Sequence, residues 1–230
     1  QMPQKIVTNG CSYTQELYLD KKDRWTTKIG AVDNLALGGG SNERIFYTTI
    51  EYLNHNKPDI LIIGWTSMER FMLPGSNGSR LAITPSHSFD EQLGGDESTI
   101  ARHYYKHCHN QYSSLERTLN YIIHLQQVCE LKHIKLLNFT SYLDPITDDY
   151  LQEISKDAFM SRSDEDTKRM GIQYNYKRLK KLVDLIDKKL WIKEFWYSMA
   201  RHCKDFPVRK DGHPNVAGSD HWAKLVGKYL

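Results

Sequence analysis

The chain has 230 residues, 40% of them hydrophobic and 26% charged, enough for one domain with a real core and ordinary for a globular protein. A formal net charge of +3 is too mild to argue for nucleic acid, which calls for a clustered basic face. No stretch approaches the ~18 apolar residues of a membrane span.

In chain order, Gln1-Met2-Pro3-Gln4-Lys5 enters the first strand directly, without the apolar core of a signal peptide, so a cytoplasmic location is favoured. Strand-like runs are expected at Ile6 to Thr8, Val32 to Leu37, Asp59 to Gly64 and Ile134 to Phe139. Ile60-Leu61-Ile62-Ile63 and Ile134-Lys135-Leu136-Leu137 are nearly continuous apolar runs, which suit strands buried on both faces of a parallel sheet. Helical spacing recurs between them. Ser41 to Asn54 opens on a cap candidate and sets Ile45, Thr49, Ile50 and Leu53 on one side. Ile100 to Lys132 reads as one long helical stretch. This alternation predicts an α/β fold, a three-layer α/β/α sandwich with a central parallel sheet.

Two regions interrupt the pattern. Met72 to Ser98 is rich in Gly, Pro, Ser and Asn and reads as a long loop after the third strand, where it would shape a pocket. Asp144 to Tyr197 is polar, then basic from Lys177 to Lys181, then aromatic from Trp191 to Tyr197. It reads as two or three helices, the basic run a solvated face and the aromatic run core packing. The expected organisation is a single domain over residues 1–230, with a loop insertion at about 72–98 and a helical segment at about 145–200.

Cys11, Cys108, Cys129 and Cys203 form no tight framework and read as reduced thiols. His103 and His107 sit one helical turn apart, next to Cys108 and His109, but no second well-spaced ligand pair follows, so no metal site is assigned.

In parallel α/β sheets, sites form beyond the carboxyl ends of the strands. The first strand ends in Gly10-Cys11-Ser12, the second in Gly38-Gly39-Gly40-Ser41-Asn42, the third in Gly64-Trp65-Thr66-Ser67. About 200 residues after Ser12, Asp211-Gly212-His213-Pro214 places a carboxylate and an imidazole close together. A serine hydroxyl becomes a useful nucleophile when a base takes its proton and a third group orients that base. Each residue also has a plainer reading: Ser12 as a turn cap, Asp211-Gly212 as a turn, Asn42 as a helix start.

Four blocks in this order resemble the SGNH hydrolase superfamily, the GDSL-like lipases and esterases. Gly10-Cys11-Ser12-Tyr13 is similar to its first block, Asn34-Leu35-Ala36-Leu37-Gly38-Gly39 to its second, Gly64-Trp65-Thr66-Ser67 to its third and Asp211-Gly212-His213-Pro214 to its last. The resemblance implies that Ser12 is the nucleophile, His213 the base and Asp211 its orienting acid, with Asp205 a weaker alternative. It implies oxyanion donors at the NH groups of Ser12 and Gly39. It also implies that no metal or organic cofactor is needed.

Three departures stand out. Cys11 replaces the usual aspartate, and Thr66 replaces the asparagine that donates to the oxyanion, so Thr66 or Asn42 would take that role. Loss of one such donor lowers the rate by roughly 10²–10³-fold. The last block is one residue shorter than Asp-x-x-His; in an extended stretch, residues i and i+2 still share a side. The implied activity is a serine ester hydrolase working through an acyl-enzyme on a small acyl ester, with an O-acetyl group on a carbohydrate as the specific expectation. The alternatives are a non-catalytic glycan-binding or assembly protein on the same fold, and an acyltransferase. The implied partner is a small-molecule or glycan ester.

Overall fold

The computed structural model describes residues 4–74, 80–85, 96–157 and 165–230. The elements in chain order are β1 (Ile6–Asn9), α1 (Ser12–Gln15), α2 (Trp25–Lys28), β2 (Asp33–Asn34), α3 (Asn42–His55), β3 (Ile60–Trp65), β4 (Phe71–Pro74), β5 (Arg80–Ile83) and α4 (Asp96–His107). They continue with α5 (Gln111–Lys132), β6 (Lys135–Thr140), α6 (Asp148–Asp157), α7 (Glu165–Asp184), α8 (Met199–His202) and α9 (Val216–Val226).

These elements form two compact units. The first holds Gln1–Ser67, Leu125–Pro145 and Asp187–Leu230. Its centre is a four-stranded parallel sheet in the order β2-β1-β3-β6. The register pairs Asn9 with Ile63 and Trp65 with Thr140. All four strands therefore end on one edge, and the segments that follow them start from that edge. All six residues of β3 are buried, as its apolar run predicts for a strand covered on both faces.

Side chains alternate between the two faces. Ile6, Ile60, Ile62, Leu137 and Phe139 share a core with Trp25 of α2 and with Trp222, Ala223 and Val226 of α9. On the other face, the Asn9 side-chain amide donates to Ile45 O at 3.1 Å and to Thr49 Oγ1 at 2.9 Å, both on α3. The first unit is thus a three-layer α/β/α sandwich. Trp191, Trp196 and Tyr197 are buried, so most of the aromatic run is core packing.

The second strand is shorter than the sequence suggests. Only Asp33 and Asn34 pair as a strand, yet the chain keeps to β1 through Val32 N to Ile6 O, Leu35 N to Thr8 O and Leu37 N to Gly10 O. Asp33 and Asn34 are exposed at the sheet edge, and an edge strand gains little from a longer ladder. α3 matches its expected span to one residue, with the Ser41 hydroxyl accepting from Arg44 N at 3.2 Å as its cap.

The second unit holds Met68–His124 and Ile146–Ile186. Two sequence expectations change here. Part of the stretch read as a loop from Met72 to Ser98 is an antiparallel hairpin, β4 with β5, with Met72 opposite Ala82; residues 75–79 and 86–95 lie outside the described residues. The Phe71 ring stacks on Tyr104 at 4.8 Å, and the Arg117 guanidinium lies 4.9 Å from its centre. The stretch from Ile100 to Lys132 is two helices rather than one. α4 ends at His107, and Asn110 caps α5 by accepting from Ser113 N at 2.9 Å. In the basic run, Lys180 pairs with Asp148 at 3.0 Å and Arg178 pairs with Glu116.

All four cysteines are free thiols, three of them buried. The His103 and His107 rings stack at 5.8 Å. Among the described residues, no group of three or more His, Cys, Asp or Glu could hold a metal ion, and no helix is long and apolar enough to cross a membrane.

Candidate active site

Ser12 is the first residue of α1, a single turn of helix set directly on the end of β1. Its seat is tight. A Cβ on Gly10 would come within 2.2 Å of Thr14 Oγ1 and 3.0 Å of Gly64 O. Only glycine lets the turn fold back this closely over β3. Asn34 Nδ2 donates to Thr14 O at 2.9 Å, and the Trp25 indole donates to Tyr13 O at 3.0 Å. The Cys11 sulfur meets Ser141 Oγ at 3.1 Å.

The chain leaves α1 through Glu16, which is left-handed at φ 47° and fully buried. Its Oε2 accepts from Trp25 N at 2.7 Å and from Ser219 Oγ at 3.1 Å. Ser219 belongs to α9, so one carboxyl joins the segment after Ser12 to the helix after His213. Burial pushes the Glu16 pKa up to about 7, against the lowering pull of these two hydrogen bonds.

Ser12 Oγ lies 2.7 Å from His213 Nε2. Residues 201 positions apart thus meet within the first unit. His213 sits in a tight turn: Gly212 N donates to Arg209 O and Arg209 N donates to His213 O, each at 2.9 Å. Gly212 has φ +80°, which a side chain would disfavour.

Asp211 Oδ1 accepts from the backbone NH of His213 at 3.2 Å. This Asp turn bond is the plainer reading of Asp-Gly made real. The same oxygen lies 3.2 Å from His213 Nδ1, within ion-pair range. The two atoms are not aligned for a straight hydrogen bond, so Nδ1 is buried without a well-formed partner. The Asp211 side chain is 48% exposed. Its carboxyl is held below the usual range, chiefly by the His213 backbone NH and also by the side-chain contact with His213. Asp205 is exposed and makes no ion pair with His213.

In the glycine loop, the NH groups on either side of Gly39 are engaged. Gly38 N donates to Gln15 Oε1 at 2.7 Å and Gly40 N to Leu37 O at 3.0 Å. The NH groups of Gly39 and Ser12 have no partner among the described residues, and a Cβ on Gly38 would lie 3.8 Å from the Ser12 Cβ. Thr66 and Asn42 are linked at two points: Thr66 N donates to Asn42 Oδ1 at 2.8 Å, and Asn42 Nδ2 donates to Thr66 O at 3.0 Å. Asn42 thereby ties the start of α3 to the end of β3. Thr66 Oγ1 is buried without a partner.

Several contacts escape sequence reasoning. The Tyr13 and Tyr18 rings pack on the His213 imidazole, with centres 4.8 and 4.7 Å away. The Tyr13 hydroxyl donates to Gly212 O at 3.2 Å. A cavity of about 330 Å³ is lined by Arg209, Lys210 and Asp211. The only sequence signal for the tyrosines is their closeness to Ser12.

No family model matches the chain, and no curated protein matches it. Solved structures match over nearly its whole length. One is described as TesA, at 14% identity and TM-score 0.46, covering 99% of this chain and 98% of that chain. Another is a GDSL-like lipase from Bacteroides thetaiotaomicron, at 11% identity and TM-score 0.48, covering 98% of this chain and 87% of that one. A third is the esterase EstA from Pseudoalteromonas sp., at 11% identity and TM-score 0.48, covering 99% of both chains.

Proposed function

We propose that the chain is a divergent SGNH-type serine ester hydrolase. The 2.7 Å contact between Ser12 Oγ and His213 Nε2 carries this reading. His213 takes the Ser12 proton as Oγ attacks the ester carbonyl, then hands it to the departing alcohol. The acyl group is left on Ser12. Water, deprotonated by His213, then releases it as the acid. The unpartnered NH groups of Ser12 and Gly39 serve the oxyanion. The unpartnered Thr66 hydroxyl is the third donor, since the Asn42 side chain is engaged by Thr66's own backbone. Asp211 contributes negative charge beside Nδ1.

The substrate is a small acyl ester, with an O-acetylated carbohydrate as the specific case. A panel of p-nitrophenyl esters of increasing chain length tests this, with Ser12→Ala as control. Turnover that favours acetyl and disappears in the variant is the expected result; equal turnover in both proteins would overturn it. Faster turnover on adding a sugar acceptor would identify a transferase. The missing hydrogen bond at His213 Nδ1 favours the non-catalytic binding reading as runner-up, and that reading predicts no turnover on any ester.

A further inference from the structure

The catalytic dyad lacks the straight carboxylate bond that usually fixes a histidine base, so something else must hold the ring in line. We infer that Tyr13 and Tyr18 are positioning residues for His213, clamping the imidazole against Ser12 in place of a carboxylate hydrogen bond. The inference rests on the reading of Ser12 and His213 as nucleophile and base.

The Asp211 oxygen nearest the imidazole is engaged by the backbone of its own turn, and its 3.2 Å contact with Nδ1 is not a straight hydrogen bond. The other oxygen lies 3.7 Å from Arg209 Nε. With its side chain 48% exposed, Asp211 is open to solvent screening. It is a poor device for fixing a ring.

The tyrosines are better placed. Tyr13 is adjacent to Ser12, so its backbone moves with the nucleophile. That backbone is bonded to the indole of Trp25, which is fully buried. The Tyr13 ring packs on His213 at a tilt of 41° and the Tyr18 ring at 44°. The Tyr13 hydroxyl also holds the carbonyl of Gly212, the residue before His213. Two ring contacts and one hydrogen bond therefore reach the base from the segment that carries the nucleophile. Aromatic faces also attract a cation, so the rings favour the imidazolium formed when the Ser12 proton arrives. Burial pushes the Tyr13 pKa up to about 12 and raises that of Tyr18, so both stay neutral beside the base. The Arg209 guanidinium lies 5.2 Å from the centre of the Tyr18 ring.

Kinetics on p-nitrophenyl acetate test the clamp. Tyr18→Leu is expected to lower kcat by about 10²-fold, the cost of a base displaced by about 1 Å, with KM nearly unchanged. Tyr18→Phe keeps the ring and restores kcat. Asp211→Asn is expected to cost about tenfold, from the lost charge. Where a carboxylate orients the base by a direct hydrogen bond, the same change costs about 10⁴-fold. A loss of that size in Asp211→Asn, or full activity in a folded Tyr18→Leu, would overturn the clamp.

A second measurement does not need turnover. Long-range ¹H–¹⁵N spectra of the ¹⁵N-histidine-labelled protein report the His213 tautomer. A single form protonated at Nδ1, kept in Asp211→Asn and averaged in Tyr18→Leu, supports the clamp; averaging in Asp211→Asn sinks it. Should Tyr18→Leu fail to fold, the Asp211→Asn spectra decide. That spectral pattern in a protein without esterase activity would end the hydrolase reading and leave the clamp standing.

Discussion

The two ends of the dyad are built differently. The Ser12 turn is packed into the sheet: Cys11, Tyr13, Thr14 and Glu16 are all buried, and Gly10 admits the Thr14 side chain where no larger residue would fit. The His213 turn stands at the surface, with Arg209, Lys210, Asp211 and Gly212 exposed, and its internal bonds are turn hydrogen bonds. A serine on a buried turn thus faces a histidine on an exposed turn, and in the proposed mechanism these would be nucleophile and base. Precision at the meeting point must come from the buried side. The tyrosines after Ser12 and the Glu16 link to Ser219 are the contacts that reach across.

The largest expected effect tests whether the two ends act as one unit. His213→Gln should lower kcat for ester hydrolysis by at least about 10³-fold, and the double variant with Ser12→Ala should cost little more, because members of one catalytic unit are not additive. Losses that multiply in the double variant would separate the two residues. Next comes Thr66, buried at the end of β3. Thr66→Val should lower kcat by about 10²-fold through loss of an oxyanion donor. Its melting temperature should hold or rise, because the hydroxyl removed is buried and unpartnered. Unchanged kinetics would remove Thr66 from the site.

Glu16 gives a pH-dependent handle on the join. Its pKa is raised from 4.5 to about 7, so the native state favours the protonated form. Its contribution to stability is fully present below the unfolded pKa and is lost as pH rises through about 7. The difference amounts to about 3 kcal/mol at full ionisation. Glu16→Gln is neutral at every pH, so its melting temperature should gain on the wild type between pH 5 and pH 8. A pH-independent difference would contradict the buried carboxyl. The smallest effect belongs to Ser219→Ala, which removes a hydroxyl that lies 3.1 Å from both Glu16 Oε2 and Asp23 O and donates to one of them, at a cost of about 1 kcal/mol, read by denaturant unfolding.

Much of the sheet is legible in the sequence, because Ile60-Leu61-Ile62-Ile63 is a short, mostly β-branched apolar run that suits a strand covered on both faces, with helical patterns on either side to cover it. Ser12 and Gly39 stand out for a related reason: they follow β1 and β2, and α/β sheets build their sites beyond strand ends. His213 stands out only as an imidazole two residues after a carboxylate. What stays hidden depends on the path between elements. Nothing local predicts that Glu16, a residue with a Cβ, adopts a left-handed turn, yet that reversal precedes Tyr18, whose ring packs on His213. The break between α4 and α5 is hidden for another reason, since helical spacing runs on past His107; Asn110, three residues before Ser113, was the available cap signal. Asp211 illustrates a limit of spacing. An i, i+2 placement does bring it beside His213, but the turn that does so also engages its oxygen.

The most direct test of the account is intact-mass spectrometry after treatment with a fluorophosphonate. The prediction is one adduct per chain, mapped to the peptide containing Ser12, with labelling slowed strongly in His213→Gln. Labelling at another residue, or equal labelling of wild type and His213→Gln, would contradict a serine activated by this histidine.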